Sequence, residues 1–109
     1  MSDKSMRAAC VHGPGAADDI RVESIPVPVP GPTDVLVQVH AAAVNQVDTY
    51  VRAGSYVTPM PTPFVVGRDL VGTVAAAGPG SGFGIGEPVW CNSLGHDGRQ
   101  GSCAEYAVV

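Results

Sequence analysis

Basic residues are scarce: the 109-residue chain has six Lys and Arg against ten Asp and Glu, a formal net charge of −4. They are scattered as Lys4, Arg7, Arg21, Arg52, Arg68 and Arg99. No basic stripe exists to follow a phosphate backbone, so nucleic acid is not an expected partner. Cysteine is scarce too, with Cys10, Cys91 and Cys103 forming an odd set without CxxC spacing. A disulfide scaffold needs a denser, even set, and free thiols in a reducing compartment are expected. No run approaches the roughly 18 apolar residues of a membrane span, and the polar start Met1-Ser2-Asp3-Lys4-Ser5 leads into no apolar leader segment. A cytoplasmic protein with no membrane partner is the expectation.

What the chain does have is hydrophobic content of 45%, enough for a folded domain. Its length fits one domain, residues 1–109, with a modest core. Residues 6–12 and 20–25 read as short strands on either side of the turn formers His12-Gly13-Pro14-Gly15-Ala16-Ala17-Asp18-Asp19. The alternating prolines of Pro26-Val27-Pro28-Val29-Pro30-Gly31-Pro32 remove backbone donors and fix φ, which predicts an extended connector outside any central ladder. Residues 34–41 show strand alternation, with Val35, Val37 and Val39 on one face and His40 on the other. A lone strand histidine is read as a surface or hydrogen-bonded residue. Residues 45–53 are the one helical candidate: Asn45 can cap it, Asp48 takes the third capping-box position, and Gly54 ends it. Val47, Tyr50 and Val51 share a face of that helix. Further strands are expected over residues 70–77, 89–92 and 102–109. Short strands, Gly/Pro-rich turns and little helix describe a small, mainly β barrel or sandwich.

Three tempting motifs fail on inspection. The run Gly78-Pro79-Gly80-Ser81-Gly82-Phe83-Gly84-Ile85-Gly86 contains no GxGxxG frame and leads into a strand instead of a helix. It lacks the helix N-terminus that a phosphate cradle needs and reads as a hairpin loop. Cys10, His12, Cys91, His96 and Cys103 are soft donors without a second paired spacing, so no native zinc site is expected. No G-x-S-x-G elbow occurs, and Cys91 and Cys103 have no evident base.

Two segments carry more information. Val44-Asn45-Gln46-Val47-Asp48-Thr49-Tyr50-Val51-Arg52-Ala53-Gly54 and Val66-Gly67-Arg68-Asp69-Leu70-Val71-Gly72-Thr73-Val74 resemble the signature stretches of the medium-chain dehydrogenase/reductase superfamily. In its zinc alcohol dehydrogenases these read Val-Cys-x-x-Asp and Gly-His-Glu-x-x-Gly-x-Val, with Cys and His binding the catalytic metal. Here Asn45 and Arg68 occupy those places, a poor zinc ligand and a permanent cation. The pattern Val-Asn-x-x-(Asp/Glu)-x-Tyr-x-Arg-x-Gly resembles instead the zinc-independent quinone oxidoreductases of the zeta-crystallin type.

The resemblance implies a GroES-like, partly open β-barrel with one or more short helices. It also implies an NADPH-dependent enzyme, without metal, that passes hydride to a small-molecule quinone or enone. Asn45 and Tyr50 would be its catalytic and cofactor-facing residues, Tyr50 polarising the acceptor oxygen. Asn45 is also explained as a helix cap alone, worth roughly 0.5–2 kcal/mol, and Tyr50 as a core aromatic. An ion pair of Asp69 with Arg52 or Arg68 is expected to hold the two segments together, with Gly67 and Gly72 allowing close packing. The dinucleotide-binding domain of the family is not in this sequence, so the chain is expected to be truncated before it, inactive alone, and prone to form homo-oligomers through exposed edges near Val108 and Val109. The alternatives are a stand-alone β-barrel binding module without catalysis and a zinc alcohol dehydrogenase domain.

Overall fold

The structure, a computed structural model, describes residues 4–109. Among them seven strands form two antiparallel sheets, with one α-helix outside them. The elements are β1 (Ser5–Val11), β2 (Arg21–Pro26), β3 (Val35–Ala41), α1 (Gln46–Ala53), β4 (Phe64–Val65), β5 (Leu70–Ala77), β6 (Pro88–Cys91) and β7 (Tyr106–Val108), with a 3-10 turn at Ala17–Asp19. One sheet runs β2-β1-β4 and the other β6-β5-β3-β7. No closed barrel forms, in keeping with the partly open GroES-like architecture that the resemblance implies.

The opening half of β3 lies between two cores. Val35 and Val37 face one core with Leu70, Val74, Leu94 and Ala107, while Leu36 turns the other way to meet Met6 and Val27. Three consecutive residues are therefore buried, and the alternating pattern becomes visible again only at exposed Gln38 and His40. Register shifts after Leu36 and after Val39 re-aim the strand as it leaves the core. His40 lies on the surface, 3.4 Å from Thr73 Oγ1.

The expected strand over residues 102–109 is shorter than its alternation suggests, because the preceding segment changes sheets. Gly101 N–H donates to Val65 O and Cys103 N–H to Val66 O, and Ala9 N–H donates to Cys103 O. Glu105 then sits at the corner: its N–H donates to Arg7 O, and its carbonyl accepts from Val39 N–H. From Tyr106 onward the chain pairs with β3. A strand that switches sheets turns the corner of an open barrel and is regular on one side of it only.

The glycine-rich run is a hairpin loop, as expected, joining antiparallel β5 and β6. Its base is fixed by Gly78 N–H to Asp34 O at 2.8 Å, Gly80 N–H to Pro32 O at 2.8 Å and Gly86 N–H to Val74 O at 2.7 Å. The proline-rich connector ends the edge strand β2 at Pro26, a position where a missing donor is tolerated.

Candidate active site

α1 is placed by one buried side chain. Val51 packs with Val11 and Phe64, all nearly inaccessible, which seats the helix on β1 and β4. Burying a side chain of this kind contributes about 1.5–3 kcal/mol. Val47, on the same face, is half-buried, and Tyr50 points outward with 46% of its surface exposed. Its hydroxyl has no hydrogen-bond partner among the described residues. The helix ends as its sequence predicts, at Gly54 in the left-handed region (φ +85°), whose N–H returns to Val51 O.

The helix starts as expected at Asn45, with Asp48 at the third position of a capping box. Asp48 Oδ2 accepts the Asn45 N–H at 2.8 Å, the carboxylate half of the capping box. The Asn45 side chain faces the Asp48 amide as a box residue does, but makes no cap hydrogen bond of proper geometry; the Asp48 N–H is bonded to the Asn45 backbone carbonyl at 3.0 Å. Its side-chain Nδ2 is instead directed at Asp69 Oδ2, 3.0 Å away.

Asp69 is where the two signature segments meet, and its partners correct the expected ion pair. Oδ1 accepts the Ala43 N–H at 2.9 Å and Oδ2 accepts from Asn45. With both oxygens engaged, the carboxylate pairs with neither Arg52 nor Arg68. Arg52 reaches the β1–β2 loop, where Nε donates to Gly15 O at 3.2 Å. The Asn45 amide first, and then the Ala43 N–H, hold the Asp69 carboxyl below the usual carboxylate range. Sequence reasoning looked for a charged partner and missed a neutral amide 24 residues away. The available signal was that Asn45 and Asp69 fall in the same two motifs.

Both flanking glycines permit close approach. A Cβ on Gly67 (φ +111°) would stand 2.5 Å from Ser102 Oγ, and one on Gly72 would stand 2.1 Å from Gln38 O. Two hollows adjoin this network. One, of about 470 Å³, is bounded by residues 41–43, 69–71 and 90–92. The other, about 110 Å³, lies against α1 between Val44, Asp48, Arg52, Gly67 and Cys103. A larger apolar hollow, about 740 Å³, lies between β2 and β7, and neither Asn45 nor Tyr50 lines any of the three. Polar groups converge at Asn45 and Asp69, beside the two smaller hollows.

The three thiols are free, and burial pushes the pKa of each upward. None is set up as a nucleophile. Among the described residues no three His, Cys, Asp or Glu side chains gather as a metal-binding cluster, and no helix is long and apolar enough to cross a membrane.

Residues 31–109 match the alcohol dehydrogenase GroES-like domain. Human quinone oxidoreductase is 37% identical over 108 residues, covering 97% of this chain and 32% of its own length. The chain thus spans about a third of the curated relatives it matches over its whole length. A thermostable alcohol dehydrogenase from Pyrobaculum aerophilum superposes with a TM-score of 0.87 at 33% identity, covering 97% of this chain and 39% of that one. That enzyme has also been solved with cobalt and zinc bound. A mycobacterial protein solved in complex with NADPH is 36% identical with a TM-score of 0.82, over 96% of this chain and 30% of that one. Motifs, fold and relatives agree, and the chain belongs to the family of alcohol dehydrogenase GroES-like domains.

Proposed function

We propose that this chain is the substrate-side domain of a zinc-independent, NADPH-dependent quinone oxidoreductase-like enzyme acting on a quinone or enone. The observation that carries this reading is at Asn45. It stands where the zinc enzymes of the family place a cysteine ligand, and its amide is committed to Asp69. Arg68, at the place of the histidine ligand, is a permanent cation and unsuited to bind zinc. The likeness to quinone oxidoreductase over 97% of the chain supports the substrate class, and the relative in complex with NADPH supports the cofactor.

Bound NADPH supplies the hydride, and that chemistry belongs to the cofactor. This chain contributes groups that bind and orient. Asn45 offers an amide at the helix start, and the free hydroxyl of Tyr50 hydrogen-bonds the acceptor oxygen as negative charge develops on it. The dinucleotide itself needs a phosphate cradle that this chain does not provide, so we assign it to a further domain of the parent protein. The 109 residues alone are not expected to oxidise NADPH at an enzymatic rate. A cytoplasmic, homo-oligomeric parent is part of the same reading, and sedimentation across a concentration range tests the assembly.

Steady-state kinetics of the full-length enzyme test the site. Tyr50→Phe keeps the ring and removes the hydroxyl, and kcat/KM is expected to fall about 2- to 13-fold, the value of one neutral hydrogen bond. Asn45→Asp sets a carboxylate against Asp69, and turnover is expected to fall further than its loss of stability accounts for. Unchanged kinetics in both variants would reduce these residues to packing and capping. Elemental analysis of enzyme purified without chelator separates this reading from a zinc alcohol dehydrogenase; about one zinc per chain would favour the latter.

A further inference from the structure

We propose that Asp69 is a positioning residue that locks the Asn45 side-chain amide in one of its two flip states, so that the carbonyl oxygen and the second N–H of that amide meet a ligand in fixed places. The inference rests on the reading of Asn45 as a cofactor-facing group and specifies what that group can recognise. An ionised carboxylate has acceptors and no donors. Asp69 Oδ1 is taken by the Ala43 N–H, leaving Oδ2 for Asn45 at 3.0 Å. The Asn45 amide can satisfy that oxygen only with its NH2 group; the flipped amide would set carbonyl oxygen against carboxylate oxygen. The Asn45 main chain is held as well, its N–H bonded to Asp48 Oδ2. Backbone and side chain are fixed by two different carboxylates, one on α1 and one at the start of β5.

Oδ1, on the side of the Asp48 amide, and the second N–H of the NH2 group are what remain to be presented. Their complement is a group that offers a donor and an acceptor side by side, such as the carboxamide of a nicotinamide ring. The lowered pKa of Asp69 fits the arrangement, since the ionised form is the one that dictates the flip.

The test begins with the 109-residue chain labelled with 15N-asparagine, because the sequence contains just two asparagines, Asn45 and exposed Asn92. The Asn45 side-chain NH2 is expected to exchange with solvent about 10- to 100-fold more slowly than that of Asn92, the protection of a charge-assisted hydrogen bond. Equal exchange rates would overturn the proposal, and that comparison needs no variant. Asp69→Asn retains an oxygen for Ala43 but turns an NH2 toward Asn45, which must flip. Protection is expected to leave Asn45 and to be gained by the new amide at position 69.

In the full-length enzyme, Asp69→Asn is expected to lower kcat/KM about 2- to 13-fold. Adding Asn45→Asp restores a donor–acceptor pair and is expected to recover part of that loss, although Asn45→Asp alone sets two carboxylates together and is the poorest variant. A loss in Asp69→Asn that simply follows its melting temperature, with no recovery in the double variant, would make Asp69 merely structural and overturn the proposal. Protection of Asn45 combined with unchanged kinetics in every variant would support the locked amide and overturn the functional reading of Asn45 instead.

Discussion

Gly72→Ala adds one methyl group at the centre of the β3–β5 ladder, and its cost can be worked from the structure. The new Cβ would lie 2.1 Å from Gln38 O and 2.7 Å from Val37 Cγ1. Neither neighbour can yield easily: the first is backbone in a paired strand, and Val37 is fully buried. Overpacking by one methyl in a tight interior costs about 1–3 kcal/mol, and a backbone obstacle favours the upper end. Alanine also restricts the unfolded chain, which offsets about 0.4–1 kcal/mol. Taking about 3 kcal/mol less that offset, the expected net destabilisation is about 2–2.6 kcal/mol. At about 4–8 °C per kcal/mol for a domain near this size, that is a fall in Tm of roughly 8–21 °C. Gly84→Ala is the control, since a Cβ there meets nothing within 4 Å. Urea titration monitored by Trp90 fluorescence and by circular dichroism should show the midpoint shift without a change in slope. Midpoints within about 0.5 kcal/mol of each other for the two variants would refute the close-packing argument.

Phe64→Ala empties the contact that seats α1, and a loss of about 3–5 kcal/mol is expected by the same titration; a loss under about 1 kcal/mol would mean that the helix is held elsewhere. Asp69 has a lowered folded-state pKa, so its stabilisation is present above the ordinary carboxylate range and lost as pH falls through the folded value. The stability gap between the chain and its Asp69→Asn variant should therefore shrink on acidification, and a gap independent of pH would contradict the hydrogen-bond assignment. The raised thiol pKa values predict slow reaction of all three cysteines with a disulfide reagent at neutral pH and rapid reaction of three after unfolding. Fast stoichiometric labelling of folded protein would show a thiol more acidic than its surroundings allow.

Local signals were legible wherever one residue determines one conformation. Gly54 ends α1, the prolines after Pro26 keep residues 28–32 out of the ladders, and β5 occupies the residues its alternation marks. Legibility failed where a residue answers to distant chain. β4 is two residues long behind three prolines, too short for periodicity, and exists because Cys10 and Val11 offer a partner. The stretch before Tyr106 alternates like a strand yet bonds first to one sheet and then to the other. At the site, composition identified the residues but not their pairing. A carboxylate beside two arginines suggests an ion pair, whereas backbone geometry delivered an N–H and an amide to Asp69 before either guanidinium could reach it.

The glycine-rich hairpin also marks a place where the chain can be lengthened. Its stem is fastened by hydrogen bonds from Gly78, Gly80 and Gly86, but residues 82–85 are exposed, and a Cβ at Gly82, Gly84 or Gly86 would meet nothing. Closure entropy grows only with the logarithm of loop length, about 0.6 kcal/mol for each doubling. A peptide tag or small domain grafted between Gly82 and Gly84 would thus hang from a fixed stem, leaving the Asn45 and Asp69 contacts undisturbed and giving a handle for immobilising the protein with its α1 face free.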